Sequence, residues 1–200
     1  MRNKLLLSAF FTIAFTIQLS SQSFFIGGNG YQSVFTYKQN GSKELIIDES
    51  QFCISPSVGV EFPADGNWLL GMKIDYIVLS KDLELFDGYY YDYKLAQLNA
   101  FVRYKISSSL DVRLGIPIGY VLEARQFNNY GSLDLIKEGN TPSILFGSGL
   151  ELGYSIPISE KLAIQIHAGY SQLINSLDTD MNQRLIPYSY VFNAQLHYSL

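Results

Sequence analysis

Cysteine is nearly absent: Cys53 stands alone in 200 residues, so no disulfide within the chain can hold the fold together. Charge is scarce too. Asp, Glu, Lys and Arg make up 16% of the chain, below the roughly 25% of an ordinary soluble domain. There is a single Trp. After residue 21 no apolar run is long enough for a membrane-crossing helix, so entry into a membrane would have to be as a sheet. Basic residues are outnumbered, 14 Lys and Arg against 18 Asp and Glu for a net charge of −4, and this balance excludes nucleic acid as a natural partner.

The N-terminus carries an export signal. Met1-Arg2-Asn3-Lys4 is a basic start, residues 5–17 are apolar, and Leu19-Ser20-Ser21 ends the stretch in small residues. This pattern predicts a signal peptide over 1–21, too short to span a bilayer, and a single mature domain over 22–200. Loss of Arg2 and Lys4 would take the net charge from −4 to −6. No Cys sits at the cleavage point, which argues against a lipoprotein.

What the chain does have is aromatic residues, 15 Tyr and 13 Phe, and long alternating stretches. Residues 110–125 are the clearest. Leu110, Val112, Leu114, Ile116, Ile118, Tyr120, Leu122 and Ala124 fall on one parity, and Asp111, Arg113, Gly115, Pro117, Gly119, Val121, Glu123 and Arg125 on the other. This reads as one unbroken strand with one apolar and one polar face. A barrel wall facing lipid produces such a pattern, because the bilayer core holds no water to satisfy a charge or a sheet edge.

Seven further strands follow the same logic. The first, 24–37, has its faces blurred by Gly27, Gly28 and Gly30 and is left unassigned. Asn40-Gly41 marks a hairpin, and a second strand runs down to Phe62, with Pro56 removing one ladder hydrogen bond. Five more strands bring the chain to Leu200, and the connections alternate long and short. An even number of strands, short turns at one end and longer loops at the other predict an all-β fold: an eight-stranded antiparallel up-and-down transmembrane barrel with both chain ends on the periplasmic side.

Facing inward in that barrel would be Glu61, Lys73, Asp75, Arg103, Asp111, Arg113, Glu123, Arg125 and Glu151, a mixed-sign set suited to a salt-bridged plug. Facing lipid headgroups would be two girdles. Phe62, Trp68, Tyr104, Tyr154 and Tyr198 form one at the short turns, and Tyr76, Tyr120, Tyr170 and Tyr188 the other toward the loops. Eight strands leave little room for a water-filled pore.

The signal sequence, the glycine-rich first strand, the hairpin Gly153-Tyr154-Ser155-Ile156-Pro157-Ile158-Ser159-Glu160-Lys161-Leu162 and the alternating last strand together resemble the PorT-like outer-membrane β-barrel families, of small OmpA/OmpX-type architecture. Those families end in an aromatic residue, whereas this chain ends His197-Tyr198-Ser199-Leu200. The resemblance implies an outer-membrane location and a place in a secretion or envelope assembly.

Three functional readings follow. The first is a non-enzymatic barrel with a structural or interaction role, monomeric and surrounded by outer-membrane lipid. It would meet other envelope proteins through its long loops, where Asp87, Tyr89, Tyr90 and Tyr91 offer acidic and aromatic contacts. The second is a lipid-modifying enzyme built on His197 and Ser199, two apart on the last strand. The third is a soluble lipocalin-like barrel that binds a ligand, suggested by Gly66-Asn67-Trp68, whose apolar parity would then face inward. Asp178-Thr179-Asp180-Met181-Asn182 opens like a calcium loop but has Gln183 where the sharp turn needs Gly and Ser189 where the bidentate Glu belongs. No metal or cofactor is expected.

Overall fold

A computed structural model describes residues 22–39, 42–46, 52–83, 89–128, 131–137, 142–174, 177–179 and 183–200. The predicted signal peptide, the Asn40-Gly41 turn, Asp87 and most of the calcium-like loop lie outside the described residues. Among the described residues eleven strands follow in chain order: β1 Ser23–Gln39, β2 Ser42–Ile46, β3 Phe52–Pro63, β4 Trp68–Leu83, β5 Tyr89–Lys105, β6 Leu110–Asn128, β7 Gly131–Asp134, β8 Ile144–Pro157, β9 Leu162–Leu173, β10 Leu177–Thr179 and β11 Gln183–Ser199.

Eight of these are full staves, each antiparallel to its sequence neighbour, and β11 pairs back onto β1 from Ser23↔Ser199 to Lys38↔Arg184. That last ladder closes the sheet into a barrel and leaves no edge at the join. β2, β7 and β10 are short pieces that prolong the hairpins on the loop side. The tight turns, among them one closed by Ala64 N–H to the Trp68 carbonyl at 2.9 Å, share an end with both chain termini.

The wall is inverted relative to a soluble barrel. Ile26, Ile54, Ile74, Leu98, Leu114, Leu152, Ile164 and Phe192, one from each stave, are all exposed outward. Glu61, Lys73, Asp75, Arg103, Asp111, Arg113 and Glu151 are buried inside, as are Asn29, Gln97, Asn99, Gln165, His167, Asn193 and Gln195. From Leu110 to Leu122 the outward face of β6 is apolar, which at about 3.3 Å per residue and a tilt of about 40° gives a belt of roughly 30 Å. Trp68 packs on Tyr104 with ring centroids 4.7 Å apart at the short-turn rim. Toward the loops Tyr170 meets Tyr190 at 6.1 Å. The side chain of Tyr188 lies outside the described residues.

The first strand's faces become plain in the closed barrel. Phe25, Asn29 and Tyr31 are buried, and Phe24 and Ile26 point out.

The alternation of 110–125, in contrast, is broken. Lys94 pairs with Glu123 and Leu95 with Val121, leaving Leu122 without an opposite residue. This bulge inserts one residue into β6 and swaps its faces. Above it Ala124 is buried, while Glu123 and Arg125 lie on the outer side with Lys94 and Asp92. β6 runs on to Asn128 and pairs antiparallel with β7 from Arg125↔Asp134 to Asn128↔Gly131.

Candidate functional site

The interior has two floors. On the short-turn side seven charged side chains share one network. Arg113 stands at its centre, with Nη2 3.3 Å from Glu61 and Nη1 3.3 Å from Glu151, and its guanidinium lies 4.2 Å from the centroid of the Phe101 ring. Arg103 is the direct cross-strand neighbour of Arg113, a like-charge pairing that is unfavourable by itself. Both arginines converge on Glu61, Arg103 at 3.2 Å, and Arg103 also donates to Gln165. One carboxylate between two guanidiniums removes the conflict.

Lys73 extends the network to the opposite wall, 3.4 Å from Glu151 and 3.9 Å from Asp75. Asp75 accepts from Asn29 Nδ2 at 2.8 Å and from the Tyr31 hydroxyl at 3.3 Å. Asn193 donates to Glu151 at 2.9 Å, which turns its own carbonyl oxygen toward His167 Nδ1 at 3.1 Å. The other ring nitrogen of His167 is 3.2 Å from Asp111. Four carboxylates thus face Lys73, Arg103 and Arg113, and the fourth, Asp111, has the His167 ring within hydrogen-bond distance. Such groups are tolerable in a dry interior only because each finds partners.

On the loop side the interior is apolar. Tyr31, Ile77, Tyr93, Leu95, Val121, Ala124, Leu145, Leu173 and Val191 pack together, joined by Leu135 from the turn after β7. Leu135 is wholly buried, and its N–H donates to the Ala124 carbonyl at 3.0 Å. The turn is held by Asp134, whose Oδ1 accepts from the N–H groups of Ile136 and Lys137, each at 3.2 Å. Lys137 beside it, 3.1 Å away, holds the Asp134 carboxyl below the usual range. A cavity of about 20 Å³ remains between Tyr31, Ile77, Leu95 and Leu173, room for one water.

Of the nine residues expected inside, Glu61, Lys73, Asp75, Arg103, Asp111, Arg113 and Glu151 are brought together. Glu123 and Arg125 are not, because the bulge turns them outward. There they form a separate rim cluster, with Glu123 2.6 Å from Lys94 and 2.8 Å from Arg125. Sequence reasoning missed the apolar upper floor, yet β5 carries its signal: Tyr93 and Leu95 share parity with Gln97 and Asn99, while Lys94 shares parity with Leu98. That exchange of character marks where the belt ends.

His197 and Ser199 do not meet. His197 is buried, stacked on Phe25 with centroids 4.7 Å apart, and its Nε2 lies 3.3 Å from Gln195. Ser199 is exposed at the rim, its hydroxyl 3.2 Å from that of Ser23. Tyr89, Tyr90 and Tyr91 begin β5, and their side chains lie outside the described residues. Among the described residues no group of His, Cys, Asp and Glu is arranged to hold a metal ion.

No protein-family model matches the sequence, and no curated protein matches it. Solved structures of similar shape do exist. Ail, the attachment invasion locus protein of Yersinia pestis, in complex with the heparin analogue sucrose octasulfate, is 14% identical over 90% of this chain and 100% of its own, with a TM-score of 0.47. Neisserial surface protein A is 12% identical over 86% of this chain and 96% of its own, at 0.48. The outer membrane protein OprG from Pseudomonas aeruginosa is 15% identical over 90% and 97%, at 0.46. The strand pairing alone establishes the closure of the barrel, and these distant likenesses add nothing to it.

Proposed function

We propose that this chain is an outer-membrane-spanning barrel that conducts nothing and performs no catalysis, acting through what it presents beyond the membrane to other envelope proteins. The observation that carries this reading is the inversion of the wall: every stave exposes apolar side chains outward, while Glu61, Lys73, Asp75, Arg103, Asp111, Arg113 and Glu151 are gathered inside in one network. In water that arrangement would expose a continuous apolar band far larger than a monomer tolerates, whereas in a bilayer both faces are satisfied. The soluble ligand-binding alternative needs the opposite orientation.

A plugged interior supports a role without transport. The ionic floor and the apolar floor with Leu135 block the axis in series, and eight staves enclose no wider lumen. The separation of His197 from Ser199 supports a role without acyl chemistry, since a nucleophile needs a base within hydrogen-bond reach. The resemblance to PorT-like barrels supports a place in an envelope assembly, and export by a signal peptide over 1–21 agrees with it.

The test is electrical. Purified barrel reconstituted into a planar bilayer is expected to give no conductance steps across ±100 mV, roughly the range of biological membrane potentials. Regular ion-conducting steps from the folded protein would overturn the reading.

A further inference from the structure

Two glycines of the outer wall lack the reason that inner ones have. On the inner face a Cβ at Gly59 would strike the Phe25 ring and one at Gly71 the Phe101 ring, so crowding forces glycine there. Among the described staves, Gly28 and Gly30 of β1 are the two glycines that fall on the outward parity, between Ile26 and Gln32. A Cβ at Gly28 would meet nothing nearer than the Ser55 carbonyl oxygen at 3.7 Å, and its φ is not positive. No bulge explains the pair either, since β1 keeps one register with β11 from Ser23↔Ser199 to Lys38↔Arg184 and with β3 from Ser23↔Glu61 to Gln32↔Phe52. A glycine inside a paired strand gives up packing, and where neither bulge nor bend accounts for it, it marks a place that something else approaches closely.

What the pair leaves is a trough. Phe192, Gly30 and Ile54 lie side by side in one row, Ala194, Gly28 and Pro56 in the next, and Leu196, Ile26 and Val58 in the third. At its loop-side end the cleft among Gly30, Gln32, Ala168, Tyr190 and Phe192 measures about 280 Å³. Gln32 and Tyr190 are cross-strand neighbours at the head, so the head is polar and the rest is apolar. From Gln32 to Ile26 the trough follows about 20 Å of strand, which at a tilt of about 40° is roughly 15 Å of depth. The hydrocarbon core is about 30 Å thick. The trough therefore has the length of one leaflet.

Those features select the occupant. β1 is paired on both sides here, so a visiting strand would find no edge and would carry unsatisfied backbone groups into hydrocarbon. A helix, about 10 Å across, is too broad, because β11 and β3 are themselves only roughly 10 Å apart before their side chains are counted. A polymethylene chain is thin, needs no hydrogen bonds and is what surrounds this wall.

We propose that the trough over Gly30 and Gly28 is a seat for one acyl chain of a diacyl lipid in the loop-side leaflet, the chain lying along β1 and its ester end at Gln32 and Tyr190. This inference rests on the membrane-spanning reading above and names a lipid site within the wall.

The experiment uses the purified full chain in vesicles of phosphatidylethanolamine and phosphatidylglycerol, with a small fraction of phosphatidylethanolamine carrying a diazirine in one chain. After irradiation, mass spectrometry reads adducts at the trough lips, Ile26, Ile54 and Phe192, and at Leu98 and Leu114 on the far wall. Labelling of the lips is expected to exceed that of the far wall about fivefold, the preference of a chain held by about 1 kcal/mol. Gly28→Val, and Ala194→Val from the other lip, fill the trough and should each abolish the excess. Ala100→Val on the far wall should leave it unchanged, with all three variants keeping a heat-dependent gel migration. Lips labelled no more than the far wall, as a second copy covering the trough would leave them, would overturn the seat, as would an excess that survives both filling variants. Either result leaves the membrane-spanning reading standing. A wall labelled nowhere would remove both.

Discussion

Arg113 is the residue on which the ionic floor turns, because it bridges Glu61 and Glu151 and caps the Phe101 ring. Arg113→Met keeps most of the volume and takes a cationic partner from each of two buried carboxylates, leaving Glu61 to Arg103 and Glu151 to Lys73. The expected loss is about 3 to 5 kcal/mol, measured by urea unfolding in lipid vesicles through the fluorescence of Trp68. Arg113→Lys should lose less, and an unchanged midpoint for the Met variant would contradict the network. On the outer face Leu114 tests the opposite environment. Leu114→Arg should cost about 2 to 4 kcal/mol if the residue meets mid-bilayer lipid, and unaltered stability in the same vesicles would show that this face does not. Space matters as much as charge at Gly153, where an added Cβ would collide with Asp111 and His167.

Among the described elements, the turn after β7 is the one that sets Leu135 into the apolar loop-side interior, and its hold depends on an ionised Asp134. A carboxyl whose folded pKa lies below its unfolded value gives stability that is full above the unfolded value, near 4, and is lost as pH falls through the folded one. The amide signals of Ile136 and Lys137 should therefore keep their hydrogen-bonded shifts at neutral pH and lose them below about pH 4. Asp134→Asn should remove that pH dependence. Shifts of the native chain that stay constant to pH 2 would contradict the cap. The elements also show what the sequence could and could not reveal. Alternation alone places Arg113 inside and Leu114 outside, since a period of two leaves no other choice once one face is apolar. It fails at Leu122, because Val121 and Leu122 are both apolar and a bulge between them leaves no mark in composition. Glu123 and Arg125 are misplaced for that reason alone. Leu135 was illegible for another: its burial depends on packing against side chains from several staves, and no local period encodes that.

At the scale of the whole molecule, the account is that one sequence pattern yields a barrel turned inside out, with paired charges within and an apolar belt without. The number of staves and the alternation of long and short connections were readable because each strand carries its own face. The connection between distant groups was not, since Glu61, Arg113 and Glu151 come from three separate hairpins and meet only on closure. The most direct measurement is fractionation of cells followed by gel migration of the membrane extract with and without boiling. Recovery in the outer membrane, with the unboiled barrel migrating differently from the boiled chain, is the predicted result. Recovery in the soluble periplasm with migration indifferent to heat would contradict it and would require the two faces of every stave to be exchanged.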